Sequence, residues 1–352
     1  MNRNGVEAIA DAVLYEGYML YPYRTSSVKN RQRWNFGVLA PQPSSGQESF
    51  DPSSMQAECL LECDSTTQVT VKVRFLQIVR RSVGRLLSPR RDVHFGGETP
   101  YDLVDALDLE GKKHVPWEEA REREVILPAL LPCGGGKPVS LSFEFASGCE
   151  YEPLSRTDGW TVGVIVREWE ALSTSVEVSW QACEASLVKA TVAISNRSEN
   201  AFSPEQGRAG LLPRSLLSTH AILRAANGQF VSLLEPPEHW KAWAEKCANR
   251  GVWPVLAGSE GDRSTVLCSP IILYDYPQIA PESPGSLFDG TEIDEILSLR
   301  ILTMTEEEKQ EMRQSDDRTR EILERTENMP PEQFIKLHGA LRGLRTLSPE
   351  AE

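Results

Sequence analysis

Residues 66–79 read TTQVTVKVRFLQIV. Val69, Val71, Val73 and Phe75 alternate with Gln68, Thr70, Lys72 and Arg74. That is the period of a strand with one buried and one wet face. Together with the residues before it, the run predicts a strand pair over 57–79. The same alternation returns downstream in VSLSFEFASG (139–148), WTVGVIVREW (160–169), 174–182 and 187–196, with short polar turns between. Two more strands are expected within 216–234, around the hairpin signal Asn227-Gly228. Val252–Leu256 and the run starting at Ser264 add further strands. The expected fold is mainly β, as antiparallel sheets or a β-sandwich, with added helices and a helical C-terminal tail.

Between these runs the signals weaken. Residues 5–14 suit a short helix. Residues 40–54, APQPSSGQESFDPSS, suit a loop. Residues 80–118 are irregular, with room for a turn and a short helix, and the acidic run 117–124 reads as helical. Residues 236–249 place Trp240, Trp243, Ala244 and Cys247 on one helical stripe. Residues 292–299 suit a short helix, and 304–329 a charged one. Thr305 is placed to cap that helix, with Glu308 at the reciprocal capping position. Pro330 and Pro331 stop it, and 332–341 suit a last helix. The expected division is an N-terminal β-rich domain over 1–124, a second β-rich domain with an inserted helix over 125–300, and a charged helical tail over 301–352.

Composition narrows the function classes. The 352 residues are 40% hydrophobic, enough for a sizeable core. Fifty-one acids against thirty-seven Lys and Arg give a formal charge of -14. That balance repels phosphate backbones and argues against general nucleic-acid binding. No run approaches the roughly 18 apolar residues of a membrane-spanning helix. The amino terminus has acids inside its apolar part, unlike a signal peptide. Seven dispersed cysteines fit a reducing compartment better than a disulfide framework. A cytoplasmic location is expected.

The common catalytic motifs are missing. Cys59-x-x-x-Cys63 is not a zinc-finger spacing, and the five histidines form no His-x-x-x-His pair. Gly134-Gly135-Gly136-Lys137 is followed by Pro138 and lacks the remainder of a phosphate loop. There is no Gly-x-Ser-x-Gly elbow. No tightly bound cofactor is expected. Two segments stand out instead. Tyr21, Arg24, Arg31 and Trp34 fall in an aromatic and basic stretch, and Tyr274, Tyr276 and Phe288 in a second. Tyrosine, tryptophan and arginine combine contact area with directed polar groups, so both stretches are candidate partner-binding surfaces. The acids that follow allow a different reading. Asp275, Asp289 and Glu292 are candidate oxygen ligands for a divalent cation. His220, Asp275 and Glu292 are then candidate acid-base groups of a metal-dependent enzyme. Ordinary core histidine, helix capping and surface charge account for the same residues without chemistry. A third reading is a β-rich structural protein that self-associates.

The phrases LYEGYMLYPYRTSSVKNRQRWNFGVL (14–39) and SPIILYDYPQIAPESPGSLFDGTEIDEILSLRILTMTEEEK (269–309) carry a resemblance. The chain resembles an uncharacterised bacterial family encoded beside uptake nickel-iron hydrogenases and their maturation factors. The resemblance implies an accessory, assembly or scaffold role, with a hydrogenase subunit or maturation factor as partner. The chain lacks the paired Cys-x-x-Cys motifs of the hydrogenase large subunit and the cysteine density of the iron-sulfur small subunit. It also lacks a histidine-rich nickel tract and a GTP-binding loop, so the resemblance points to neither catalytic subunit and not to the nickel-delivery GTPase.

Overall fold

The computed structural model describes residues 3–15, 36–43, 50–96, 100–132, 138–200, 206–278, 301–314, 317–328 and 330. The described residues fall into two compact units, one drawn from Met1–Tyr18 and Gln32–Gln278, the other from Met19–Arg31 and Ile279–Glu352. The fold is mainly β and antiparallel. The first unit contains α1 (Arg3–Leu14), β1 (Ser54–Arg90), β2 (Tyr101–Val104), β3 (Leu107–Leu109), β4 (Lys112–His114), β5 (Trp117–Ile126), β6 (Val139–Phe145) and β7 (Gly148–Ser155). It continues with β8 (Thr161–Trp169), β9 (Leu172–Glu184), β10 (Leu187–Asn196), α2 (Gly207–Leu211), β11 (Leu217–Val231), α3 (Lys241–Ala244), β12 (Trp253–Leu256) and β13 (Thr265–Ser269).

β1 is the spine. Its 37 residues pair in succession with β10, β11, β5, β8 and β2. The main path through the sheet runs β12-β13-β11-β1-β10-β9-β6. The sheet curls, because Phe75 of β1 meets Phe145 of β6 edge-on with ring centroids 5.5 Å apart, although β10 and β9 separate those strands. The enclosed face forms one core. It draws Val69, Val71, Val73 and Phe75 from β1, Val176 and Val178 from β9, Val192 and Ile194 from β10, and Leu223 from β11. The alternation that predicted these strands is therefore the alternation between core and outer face.

Two strand pairs expected from sequence are single strands. β1 runs through Asp64–Thr67, and β11 runs through Asn227-Gly228 without a hairpin. The two interruptions face each other. The ladder passes from Cys63↔Gly228 to Gln68↔Ala226, so β1 carries extra residues there as a bulge. Asp64 accepts the Thr66 N–H at 2.7 Å, and Thr67 Oγ1 donates to the Asn227 carbonyl at 2.6 Å. Asn227 takes φ 57°, a conformation that asparagine tolerates. A side chain at Gly228 would stand 2.7 Å from Thr67 Cγ2 and 3.2 Å from the Glu62 carbonyl. The Asn-Gly signal marks a corner that both strands turn.

Residues 117–124 are strand, not helix. WEEAREREVI is rich in helix formers, yet pairing with β1 overrides local propensity. Its charges meet basic partners on the spine: Glu119 to Arg81 at 3.4 Å, Glu122 to Arg74 at 3.3 Å and Glu124 to Lys72 at 3.2 Å. The irregular stretch 80–118 holds the end of β1, then β2 and a β3–β4 hairpin, with no helix among its described residues. Val83, Leu107, Leu154 and Ile165 make a small separate core there. β7 extends this arm beside β8. Residues 236–249 form a 3-10 turn at Glu238–Trp240 and one turn of α3, not a long helix. Trp240 and Ala244 are buried nonetheless, with Trp243 and Cys247 packed beside them as the stripe required.

In the second unit, α4 (Glu306–Gln314) and α5 (Asp317–Glu327) replace the single helix expected over 304–329. The capping box forms: Thr305 Oγ1 accepts the Glu308 N–H at 3.2 Å, and Glu308 accepts the Thr305 N–H at 3.0 Å. Arg313 of α4 pairs with Glu327 of α5 at 3.0 Å. The expected helices at 292–299 and 332–341 lie outside the described residues. No helix among the described residues is long and apolar enough to cross a membrane.

Candidate functional site

α1 organises the outer face of the sheet. Val6, Ile9, Ala10 and Val13 share one helical face and are buried against Ile222, Val255, Ala257 and Leu267. Burying each of the larger side chains contributes roughly 1.5–3 kcal/mol. The flank of α1 beside that stripe is acidic and meets a basic row on β1 and β11. Glu7 pairs with Arg224 at 2.8 Å and Lys72 at 3.5 Å, and Asp11 with Arg74 at 2.7 Å. Tyr15 donates to Glu122 of β5. Burial alone would raise the Glu7 carboxyl, but the Arg224 hydrogen bond and the charges of Lys72, Arg224 and Arg74 outweigh it and hold it below the usual range.

His220 lies under this helix. It stands opposite Arg74 across the β1–β11 ladder and is fully buried. Its Nδ1 sits 2.9 Å from the Ser218 carbonyl, which only accepts, so Nδ1 carries the proton. Nε2 is then a buried acceptor, and it has no hydrogen-bond partner among the described residues. Burial, reinforced by the Arg74 charge and only partly offset by the Ser218 bond, lowers the imidazole to about 4. Ser218 itself has φ 50°, at the point where the β1–β11 register shifts.

Asp275 belongs to a different corner. One carboxylate oxygen accepts the Leu256 N–H at 2.7 Å, and the other accepts the Ser232 hydroxyl at 2.5 Å. Ser232 Oγ in turn accepts the Glu235 N–H at 2.8 Å. The adjoining Tyr276 N–H donates to the Leu256 carbonyl at 2.7 Å. Asp275 thus ties residues 270–276 alongside β12, an edge strand of the sheet. Along this tie the side chains alternate. Ile271 and Leu273 pack against the α1 cluster, while Ile272 and Tyr274 point outward at 77% and 86% exposure. Trp253 of β12 is also exposed, at 43%. Tyr276 is half-buried against the main core, and burial first and the Asp275 charge second raise its phenol.

The described candidates therefore divide. Asp275 and Tyr276 brace the edge, Tyr274 is presented from it, and His220 sits under α1. Asp275 is not among the groups whose charge acts on His220, which are Arg74 and Glu7. Among the described residues no group of three or more His, Cys, Asp and Glu is arranged to hold a metal ion. Tyr21, Arg24, Arg31, Trp34, Phe288, Asp289 and Glu292 lie outside the described residues. Cys59 and Cys63 are buried, and neither is in a disulfide. A hydrogen bond with Cys268, then burial, raises the Cys59 thiol well above its ordinary value. That is the state of an inert core cysteine.

Sequence reading missed Ile272 and Trp253 at the edge. No alternation marks them in the sequence, because Ile271, Ile272, Leu273 and Tyr274 are all apolar and only the structure separates inward from outward. It also missed a cleft of about 350 Å3 beside α1, lined by Val6, Thr70, Arg224, Asp262 and Thr265 among others. No local signal marks that cleft, because strand register brings its walls together. No protein-family model matches the chain, and no curated protein matches it at a level that shows kinship.

Proposed function

We propose that the protein is a scaffold that docks another protein through the edge beside β12, in an accessory or assembly role in a nickel-iron hydrogenase-related system in the cytoplasm. One observation carries the docking part. Ile272 and Tyr274 are among the most exposed large apolar side chains of the described residues, and they sit on a segment fixed by three short hydrogen bonds to its neighbours. An aromatic held in place loses little conformational entropy on binding, which is the property of an interface anchor. Pro254 in β12 removes an edge N–H, and the 270–276 segment covers Leu256. Recognition is therefore through side chains and not through an added strand. The hydrogenase part rests on the resemblance of residues 14–39 and 269–309.

The enzyme reading has less support. Both oxygens of Asp275 are used in bracing the edge, and His220 is sealed beneath α1. The test is affinity purification from the native cells under anaerobic, low-salt conditions, with the wild-type chain and an Ile272→Ser/Tyr274→Ser variant. Enrichment of a hydrogenase subunit or maturation factor by wild type, lost at least tenfold in the variant, is the expected result. No such enrichment, or equal enrichment by both chains, overturns the proposal.

A further inference from the structure

The cleft beside α1 is separate from the docking edge and has its own chemistry. It forms where the first turn of α1 leaves uncovered the rungs of the β1–β11 ladder beside the β1 bulge, Thr70↔Arg224 and Gln68↔Ala226, with residues 258–262 closing the far side. Its volume, about 350 Å3, lies within the range of small-molecule sites.

The charges are unlike and only half used. Arg224 Nη2 donates to Glu7 at 2.8 Å, while its Nε and Nη1 have no partner among the described residues. Asp262 Oδ1 accepts the Ser264 N–H at 2.9 Å, while Oδ2 has no described partner. Oδ2 stands 3.5 Å from where a side chain at Gly258 would begin, and Val6 Cγ2 stands 3.8 Å from the same point. The carboxylate and the α1 wall therefore border one space. Thr70, Ser264 and Thr265 add hydroxyls, and Ala226 a small apolar floor.

We infer that this cleft binds a free amino acid, with the ligand carboxylate on Arg224 and its ammonium on Asp262. The lining disfavours the other small-ligand classes. A phosphate or other polyanion meets Asp262 and Glu7 as like charges. A divalent cation finds one carboxylate with free capacity beside an arginine, where hard cations need several oxygens. A nucleobase finds no aromatic side chain on the described walls. A zwitterion leaves neither charge unpaired, and the hydroxyls serve both of its ends.

The test uses the full chain, with each standard amino acid at about 10 mM in thermal-shift assays and titration calorimetry on any that shift the transition. Acetate and ethylamine serve as the two half-ligands. At least one amino acid is expected to bind one-to-one, with neither half-ligand matching it. Asp262→Asn and the cleft-filling Ala226→Leu are each expected to weaken it at least tenfold while the ligand-free transition stays near wild type. If no amino acid binds, if acetate binds as tightly, or if both variants keep affinity within twofold, the inference is wrong. A variant whose ligand-free transition collapses is replaced by Thr70→Val, for which the same loss is expected.

Discussion

Lowering the pH from 7 should destabilise the first unit through His220 alone by an amount the structure sets. The imidazole titrates at about 4 in the folded chain against 6.5 in a free side chain. The unfolded chain therefore takes up a proton first as the pH falls. Stability held by the neutral ring is intact above 6.5, falls through the interval and is fully lost below about 4. At about 1.4 kcal/mol per pH unit, the whole gap is worth about 3 kcal/mol. Integrating the two titrations gives a loss from pH 7 of about 1 kcal/mol at pH 5.5 and about 2 kcal/mol at pH 4.5. The cause is specific: a ring with no exposed surface, beside the Arg74 guanidinium, gains charge with no nearby acceptor free for Nε2. The assay is urea unfolding of wild type and His220→Gln at pH 7, 5.5 and 4.5. Carboxylate titrations are common to both chains and cancel in the difference. Wild type should lose about 2 kcal/mol more than the variant between pH 7 and 4.5. Parallel losses in the two chains would refute the reasoning.

Three other outcomes follow from named contacts. Asp275→Ala leaves the Leu256 N–H and the Ser232 hydroxyl without their acceptor and should cost about 2–4 kcal/mol in urea unfolding, with Asp275→Asn costing less. Gly163→Ala places a methyl 2.3 Å from Leu107 Cδ2 and 2.8 Å from the Gly84 carbonyl, so the β2–β4 arm should lose about 1–3 kcal/mol and become the first site of limited proteolysis. Glu7→Gln combined with Asp11→Asn removes the acidic contacts of α1 with Lys72, Arg74 and Arg224, and amide exchange in α1 should speed up about tenfold, with wild type approaching the variant in high salt.

Much of the β framework was readable because alternation is local. Val69 to Phe75, β6, β8, β9 and β10 each declare a buried face within a few residues. The capping box at Thr305 and Glu308 is legible for the same reason. What failed were the long-range decisions. Asn227-Gly228 is a sound hairpin signal in isolation, and only the bulge opposite it in β1 turns it into a corner. WEEAREREVI favours helix by propensity, and only Lys72, Arg74 and Arg81 on the spine make it a strand. The candidate site shows the same divide. The tyrosines and Asp275 were conspicuous in sequence, but the division of labour between a bracing carboxylate and an outward Tyr274 depends on Leu256 and Ser232. Arg224 and Asp262 carry no local motif, and the β11–β13 pairing and the turn before β13 bring them to one cleft.

The docking claim is tested most directly at Tyr274 itself. A photo-crosslinking phenylalanine analogue placed there, with the same analogue at Leu103 as an exposed control on the arm, would be irradiated in the native cells and the adducts sequenced. The account predicts an adduct with a hydrogenase subunit or maturation factor at position 274 and not at position 103. No adduct at 274, or the same adducts at both positions, would contradict it.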